Sequence, residues 1–225
     1  MRILLTILFL ILFSGTVYPQ FNIGLKAGAT FSNILYDEKP FQVSNIQTQI
    51  KPGIMGGLTF QFINPKNAGL QFELLYMEKG FNTKYDSANN TRYERSIEYI
   101  SLPFLTHLSF GKKSFQISLI LGSYVSYAIS SSELLIDGTQ EIKRTYTWDN
   151  EIDNRFEFGL QAGIGIRNSF SFGIIEVQGN FSFTFTSLYK WEAVNKDPEM
   201  DRFFELPEVA QSQVYHVAIS YYYPF

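Results

Sequence analysis

The sequence contains no cysteine and only two histidines, His107 and His216. Without thiols it has no disulfide framework, no thiolate zinc site and no lipid-modified N-terminal cysteine. Charge of one sign is also missing. The 18 basic and 21 acidic side chains leave a formal net charge of −3, which gives no sign of a nucleic-acid partner. A spanning helix needs ~20 consecutive apolar residues, and the apolar run Ile3–Phe13, broken by Thr6, falls short of that. P-loop, HExxH and GxSxG motifs are absent, so the common sequence signatures of nucleotide, zinc-protease and esterase chemistry are missing. No cofactor is implied.

Arg2, the apolar run and the turn-prone Ser14, Gly15, Thr16 and Pro19 follow the charged, apolar, cleavage order of an export signal. The sequence therefore predicts a signal peptide over 1–20 and one domain over 21–225. Aromatics make up 17% of the chain, with Phe 22 and Tyr 14. Such residues favour strands and membrane interfaces.

From Phe21 to Asn33 apolar residues fall at every second position (Phe21, Ile23, Leu25, Ala27, Ala29, Phe31), with Asn22, Gly24, Lys26, Gly28, Thr30 and Ser32 between them. This two-residue period is that of a strand with one apolar face. The same alternation recurs around Ile54–Phe62, Leu70–Met77, Ile97–Phe110, Phe115–Ser130, Arg155–Arg167, Ile175–Phe185 and Val214–Phe225. Pro103 lies within the fourth of the resulting eight strands, where it removes a ladder hydrogen bond and predicts a bulge or distortion.

The polar stretches between strands alternate long and short, with Tyr36–Lys51, Asn82–Arg95, Ser131–Asp153 and Leu188–Gln211 long and Asn64–Asn67, Gly111–Lys113 and Asn168–Ser171 short. In an antiparallel meander every long connection then lies at one end, the layout of an outer-membrane barrel. The sequence thus predicts an all-β, eight-stranded antiparallel up-and-down transmembrane β-barrel, exported through the periplasm. Bulky apolar residues on one phase and glycines on the other (Gly24, Gly28, Gly53, Gly57, Gly122, Gly159, Gly163, Gly165) put the apolar face against lipid and the small residues in a narrow lumen. An unpaired backbone group in hydrocarbon costs several kcal/mol, so the last strand must close on the first.

These stretches carry a family resemblance. Gly24-Leu25-Lys26-Ala27-Gly28 with Phe31-Ser32-Asn33, Glu73-Leu74-Leu75-Tyr76 with Lys79-Gly80, Tyr99–Leu105, Leu121-Gly122-Ser123-Tyr124-Val125, and Phe158-Gly159-Leu160 with Gly163-Ile164-Gly165 occur in that order. The chain resembles, over 21–225, the PorT-like outer-membrane β-barrel proteins of the Bacteroidota. The resemblance implies fold and location rather than one activity; its namesake takes part in type IX secretion. Members often carry an acid at the position of Ser101, a lysine at His107, a proline at Ser123 and an arginine near Gln178, so interior charge is reduced here. The terminal Phe225, with Tyr221 and Tyr223, resembles the signal read by the barrel-assembly machinery.

Lys26, Glu73, His107, Glu157, Arg167, Glu176 and His216 all fall on the lumenal phase. Buried charges must be paired or hydrated, which predicts a polar plug with Arg167 and Glu176 facing each other across the last turn. The expected function is structural, adhesive or partner-binding through long extracellular loops, with outer-membrane lipid, the barrel-assembly machinery and an envelope protein as partners. Alternatives are a type IX secretion component, a narrow small-solute channel, and a lipid-modifying enzyme using a histidine with Ser101 or Ser220 as its base and nucleophile. The loop acids Asp37, Glu38, Asp137, Asp149, Asp153, Asp197, Glu199 and Asp201 lack calcium-loop spacing. Tyr189, Trp191, Phe203 and Phe204 form an expected loop patch or girdle, and Asp86-Ser87-Ala88 resembles a Bacteroidota O-glycosylation site.

Overall fold

The computed structural model describes residues 20–36, 46–65, 67–85, 92–112, 114–137, 140–190 and 210–225. These form β1 (Gln20–Tyr36), β2 (Ile46–Gln49), β3 (Lys51–Ile63), β4 (Ala68–Tyr85), β5 (Arg92–Lys112), β6 (Phe115–Asp137), β7 (Gln140–Thr145), β8 (Phe156–Phe170), β9 (Gly173–Thr184) and β10 (Ala210–Pro224). Except for Gln20 the expected signal peptide lies outside the described residues, as do Asp37, Glu38, Asp86-Ser87-Ala88, Trp191, Asp197, Glu199, Asp201, Phe203 and Phe204.

Eight of these strands form the wall, ordered β4–β3–β1–β10–β9–β8–β6–β5, and β5 pairs with β4 to close the ring. Every wall pairing is antiparallel. The closing seam joins β1 to β10 from Asn22↔Pro224 to Tyr36↔Ala210. Positive backbone φ occurs at Asn67, Gly111 and Gly173. Each lies in or at the edge of one of the three short turns, where a tight reversal demands positive φ.

Alternation separates two solvents. Leu25 is 66% exposed while its neighbour Lys26 is 2% exposed, and Ile219 is 55% exposed beside Ser220 at 0%. The outward phase of β5 is apolar from Ile100 through Phe110 except for Thr106, then becomes Glu98, Ser96 and Glu94. Eleven residues at ~3.3 Å each, tilted ~45°, rise roughly 25 Å, which matches the apolar band of a membrane barrel. The strands that continue above this band stand outside the membrane.

There the structure departs from the sequence reading. The long connections expected over 36–51, 82–95 and 131–153 contain strand: β4 runs on to Tyr85, β5 begins at Arg92, β6 reaches Asp137, and β2 and β7 are additional. Together they make a continuous extracellular sheet in the order β2–β4–β5–β6–β7. Its side chains touch water or protein rather than lipid, so the apolar alternation that reveals a spanning strand is lost. β8 likewise continues to Phe170, through most of the turn expected at 168–171.

At Pro103 the expected irregularity takes the form of a gap in pairing, while the bulge lies elsewhere. The β5–β6 register shifts between Glu98 and Tyr99, opposite Ile129, where the wall leaves the apolar band. At Pro103 the β4–β5 pairing lapses between Phe72↔Phe104 and Leu75↔Ser101 without any shift. The wall tolerates a missing donor by skipping two rungs.

Candidate functional site

The lumen is filled by side chains in layers. Nearest the short turns, Lys26 Nζ on β1 donates to Glu73 Oε1 on β4 and to Gln178 Oε1 on β9, each at 2.7 Å. Gln71 Nε2 donates to Glu73 Oε1 at 2.6 Å, and Gln61 Nε2 donates to Gln71 Oε1 at 2.8 Å. Arg167 Nη1 donates to Gln61 Oε1 at 2.7 Å and lies 3.7 Å from Glu176 Oε2. Glu176 Oε1 accepts from Ser118 at 2.6 Å and meets His107 Nε2 at 3.0 Å. The Tyr222 ring stacks 5.6 Å from the Arg167 guanidinium. Every charge in this layer has an opposite charge beside it, as low dielectric demands.

Above it lies a waist with an apolar side. Met55, Leu75, Met77 and Ala218 pack together, and Leu105 and Ile120 are also buried. Beyond the waist Lys79 Nζ donates to Glu157 Oε2 at 2.8 Å and sits 4.5 Å over the Tyr99 ring and 5.2 Å from that of Tyr124. Tyr124 and Thr184 share a hydrogen bond of 2.6 Å.

The extracellular mouth is capped. Ile34, Phe81, Ile97, Tyr99, Ala128, Leu188 and Ala210 form an apolar cluster, with Tyr93, Trp148 and Tyr189 against it. Arg95, 1% exposed, stacks 3.7 Å over the Tyr146 ring and pairs with Asp153 at 3.6 Å. Tyr146 donates to Asp153 Oδ2 at 2.8 Å, and an isolated bridge ties Asp153 to Tyr189. The segment between β7 and β8 is thereby held across the opening. Tyr93 donates to Glu133 at its edge. Burial raises the Tyr146 hydroxyl above its ordinary phenol value despite the Arg95 charge, and burial does the same for Tyr189.

All seven expected lumenal residues, Lys26, Glu73, His107, Glu157, Arg167, Glu176 and His216, lie buried inside the barrel. The structure gathers Lys26, Glu73, Arg167, Glu176 and His107 into one network; Glu157 joins Lys79 in the other, and His216 hydrogen-bonds to no described protein atom. Arg167 and Glu176 do face each other across the last turn. Ser101 is bonded to Ser126 rather than to His107, and Asp153, taken for a loop acid, is a buried partner of the cap. Sequence reasoning missed Lys79 and Arg95, which lie past the residues where apolar alternation stops. Their signal was phase alone: counted back along β5, Arg95, Ile97, Tyr99 and Ser101 share the lumenal side.

At the other end the final residues join an aromatic belt. Phe225 N donates to Phe21 O at 2.8 Å, and ring centroids step from Phe225 to Phe21 at 6.1 Å, to Phe62 at 4.8 Å, to Phe72 at 6.2 Å and to Phe104 at 4.6 Å. Tyr221 donates its hydroxyl to Phe172 O at 2.6 Å.

Residues 18–190 match the family model described as outer membrane protein beta-barrel domain. Among solved structures, the outer membrane protein OprG from Pseudomonas aeruginosa is 14% identical, with 93% of this chain and 98% of that chain covered and a TM-score of 0.46. Ail, the attachment invasion locus protein of Yersinia pestis, is 9% identical over 90% and 98%, with a TM-score of 0.42. Neisserial surface protein A is 10% identical over 88% and 96%, with a TM-score of 0.41. No curated protein matches the chain.

Proposed function

Because the chain belongs to the outer membrane protein beta-barrel domain family, and is thereby an outer-membrane protein, we propose that it is a non-conducting, non-catalytic barrel that holds an extracellular sheet out to a partner. The observation that carries this reading is the doubly closed lumen. Two separate ion-paired layers, Lys26–Glu73 with Arg167–Glu176 and then Lys79–Glu157, are stacked beneath the cap held by Arg95. Eight strands leave an interior only just wide enough for side chains, and these side chains occupy it. Single-channel recording in planar bilayers tests the reading. Silence at all voltages is expected, and regular unitary steps would replace it with the small-solute channel.

The same burial argues against a lipid-modifying enzyme. His107 and His216 are 0% and 1% exposed, so neither imidazole is open to a lipid headgroup. A finer proposal is that the protein is one of the PorT-like barrels of the Bacteroidota, with a type IX secretion component as the alternative role. Its support is the ordered set of motifs beginning at Gly24-Leu25-Lys26-Ala27-Gly28. Crosslinking in intact envelopes followed by identification of the partner decides between a surface ligand and a secretion assembly.

A further inference from the structure

One wall of the lumen carries polar atoms that no described protein group satisfies. His216 on β10 and Asn180 on β9 are opposite each other in register, yet both imidazole nitrogens and both ends of the Asn180 amide lack a hydrogen-bond partner. Gln161 Nε2 on β8 and Gln178 Nε2 on β9 are likewise unmet, as is Glu73 Oε2, which reaches in from β4 on the far side of the Lys26 ammonium. The five side chains are 1%, 5%, 3%, 0% and 3% exposed in the order His216, Asn180, Gln161, Gln178, Glu73. An unmet buried polar atom gives up its hydration with nothing in return. A run of them on neighbouring rungs is too expensive to be left dry.

Their chemistry selects the ligand. Three amide NH2 groups and one imidazole N–H donate, whereas the Asn180 carbonyl, the Glu73 carboxylate and the other imidazole nitrogen accept. A bare cation would meet the donors and the Lys26 ammonium, which lies 2.7 Å from both Glu73 Oε1 and Gln178 Oε1. A bare anion would meet the Glu73 carboxylate and the Asn180 carbonyl. Only a small neutral species that both donates and accepts matches the set, and water, with two to four polar partners per molecule, does so.

We propose that His216, Asn180, Gln161 and Gln178 form an internal water-binding site on the β8–β10 side of the lumen, closed by the Glu73 carboxylate from β4, beside the apolar packing of Met55, Leu75 and Met77. The plug is then wet on one side and dry on the other. This site stands apart from the sealed-lumen reading, since an ion-conducting barrel would refute that reading and leave the bound water in place.

The test uses the full barrel, refolded in lipid nanodiscs for NMR and in detergent for crystals with and without bromide. Magnetisation transfer from water to the Asn180 and Gln161 side-chain NH2 groups is expected, together with water density beside His216. The variant N180L/H216F should lose the Gln161 transfer while keeping a folded-barrel spectrum. Absence of transfer in the unmodified protein, with Asn180 and His216 bonded to each other, would overturn the proposal, as would bromide bound in the site. If the variant fails to fold, the same two measurements on the unmodified protein decide the question alone.

Discussion

Lys26 Nζ lies 2.7 Å from Glu73 Oε1, and neither side chain reaches solvent. The pair spans from β1 to β4, past β3, whose residue opposite Lys26 in register is Gly57. A strand that contributes no side chain at that rung leaves the lysine room to cross.

Breaking this pair from one side leaves an uncompensated charge in the lumen. Lys26→Met is expected to destabilise the barrel by about 3–5 kcal/mol, and K26M/E73Q together by clearly less, because the second change removes the orphaned carboxylate. Urea unfolding midpoints in lipid vesicles measure both. Equal losses in the single and double variants would show that the pair does not act as a unit.

The glycines separate into two kinds. A Cβ on Gly57 would lie 2.0 Å from the Leu74 carbonyl oxygen, backbone that has no rotamer to escape into, whereas one on Gly179 meets nothing within 4 Å. Gly57→Ala should therefore cost about 1–3 kcal/mol from overpacking, and Gly179→Ala close to nothing. Heat-modifiable gel migration of the refolded variants, read as the fraction folded against urea, distinguishes them.

The cap has a pH limit set by Tyr146. Its hydroxyl is raised in the folded protein, chiefly by burial, above the ordinary value of 10.0. A group with a raised folded pKa contributes stability that is whole below its unfolded pKa and is lost as pH rises through the folded one. The cap should thus stay shut through neutral pH and loosen above pH 10. Trp148, packed at 5.7 Å from the Tyr146 ring, reports this by fluorescence in a Trp191→Phe background. Tyr146→Phe should shift the alkaline transition, and an unshifted curve would assign it to another group.

Removal of residues 221–225 should impair insertion. The deletion takes away the rungs Leu25↔Tyr221 through Asn22↔Pro224, the Phe225 link to Phe21, and the Tyr221 hydroxyl that holds the last turn. Outer-membrane yield of the truncated chain, set against Phe225→Ala, checks this. A normal yield from the truncation would remove the proposed role of Tyr221, Tyr223 and Phe225 as an assembly signal.

The spanning strands and their lumenal faces were legible in sequence because lipid and lumen impose opposite demands on successive residues. Leu25 beside Lys26 reports that contrast directly. Above the membrane the contrast disappears: all six residues of β7, from Gln140 to Thr145, are exposed, and nothing in their order marks a strand. Partners within the lumen were legible only where a hairpin fixes them, as with Arg167 and Glu176. His107 and Glu176 come from β5 and β9, which are not neighbours in the wall, and their meeting depends on strand tilt and on the small Ser118 between them. Alternation says nothing about either.

The seam has a kinetic consequence. Its rungs, such as Gly28↔Ala218, join residues separated by nearly the whole chain, whereas those of β5–β6 and β8–β9 form within hairpins. Contacts between distant residues are made late, because the loop between them must be closed before the pairing repays it. Hairpins can zip as they emerge, but the ring itself waits for β10. Until then two unpaired edges face the bilayer, and the lifetime of that open sheet, more than the strength of any one pair, sets how much help the chain needs to arrive intact.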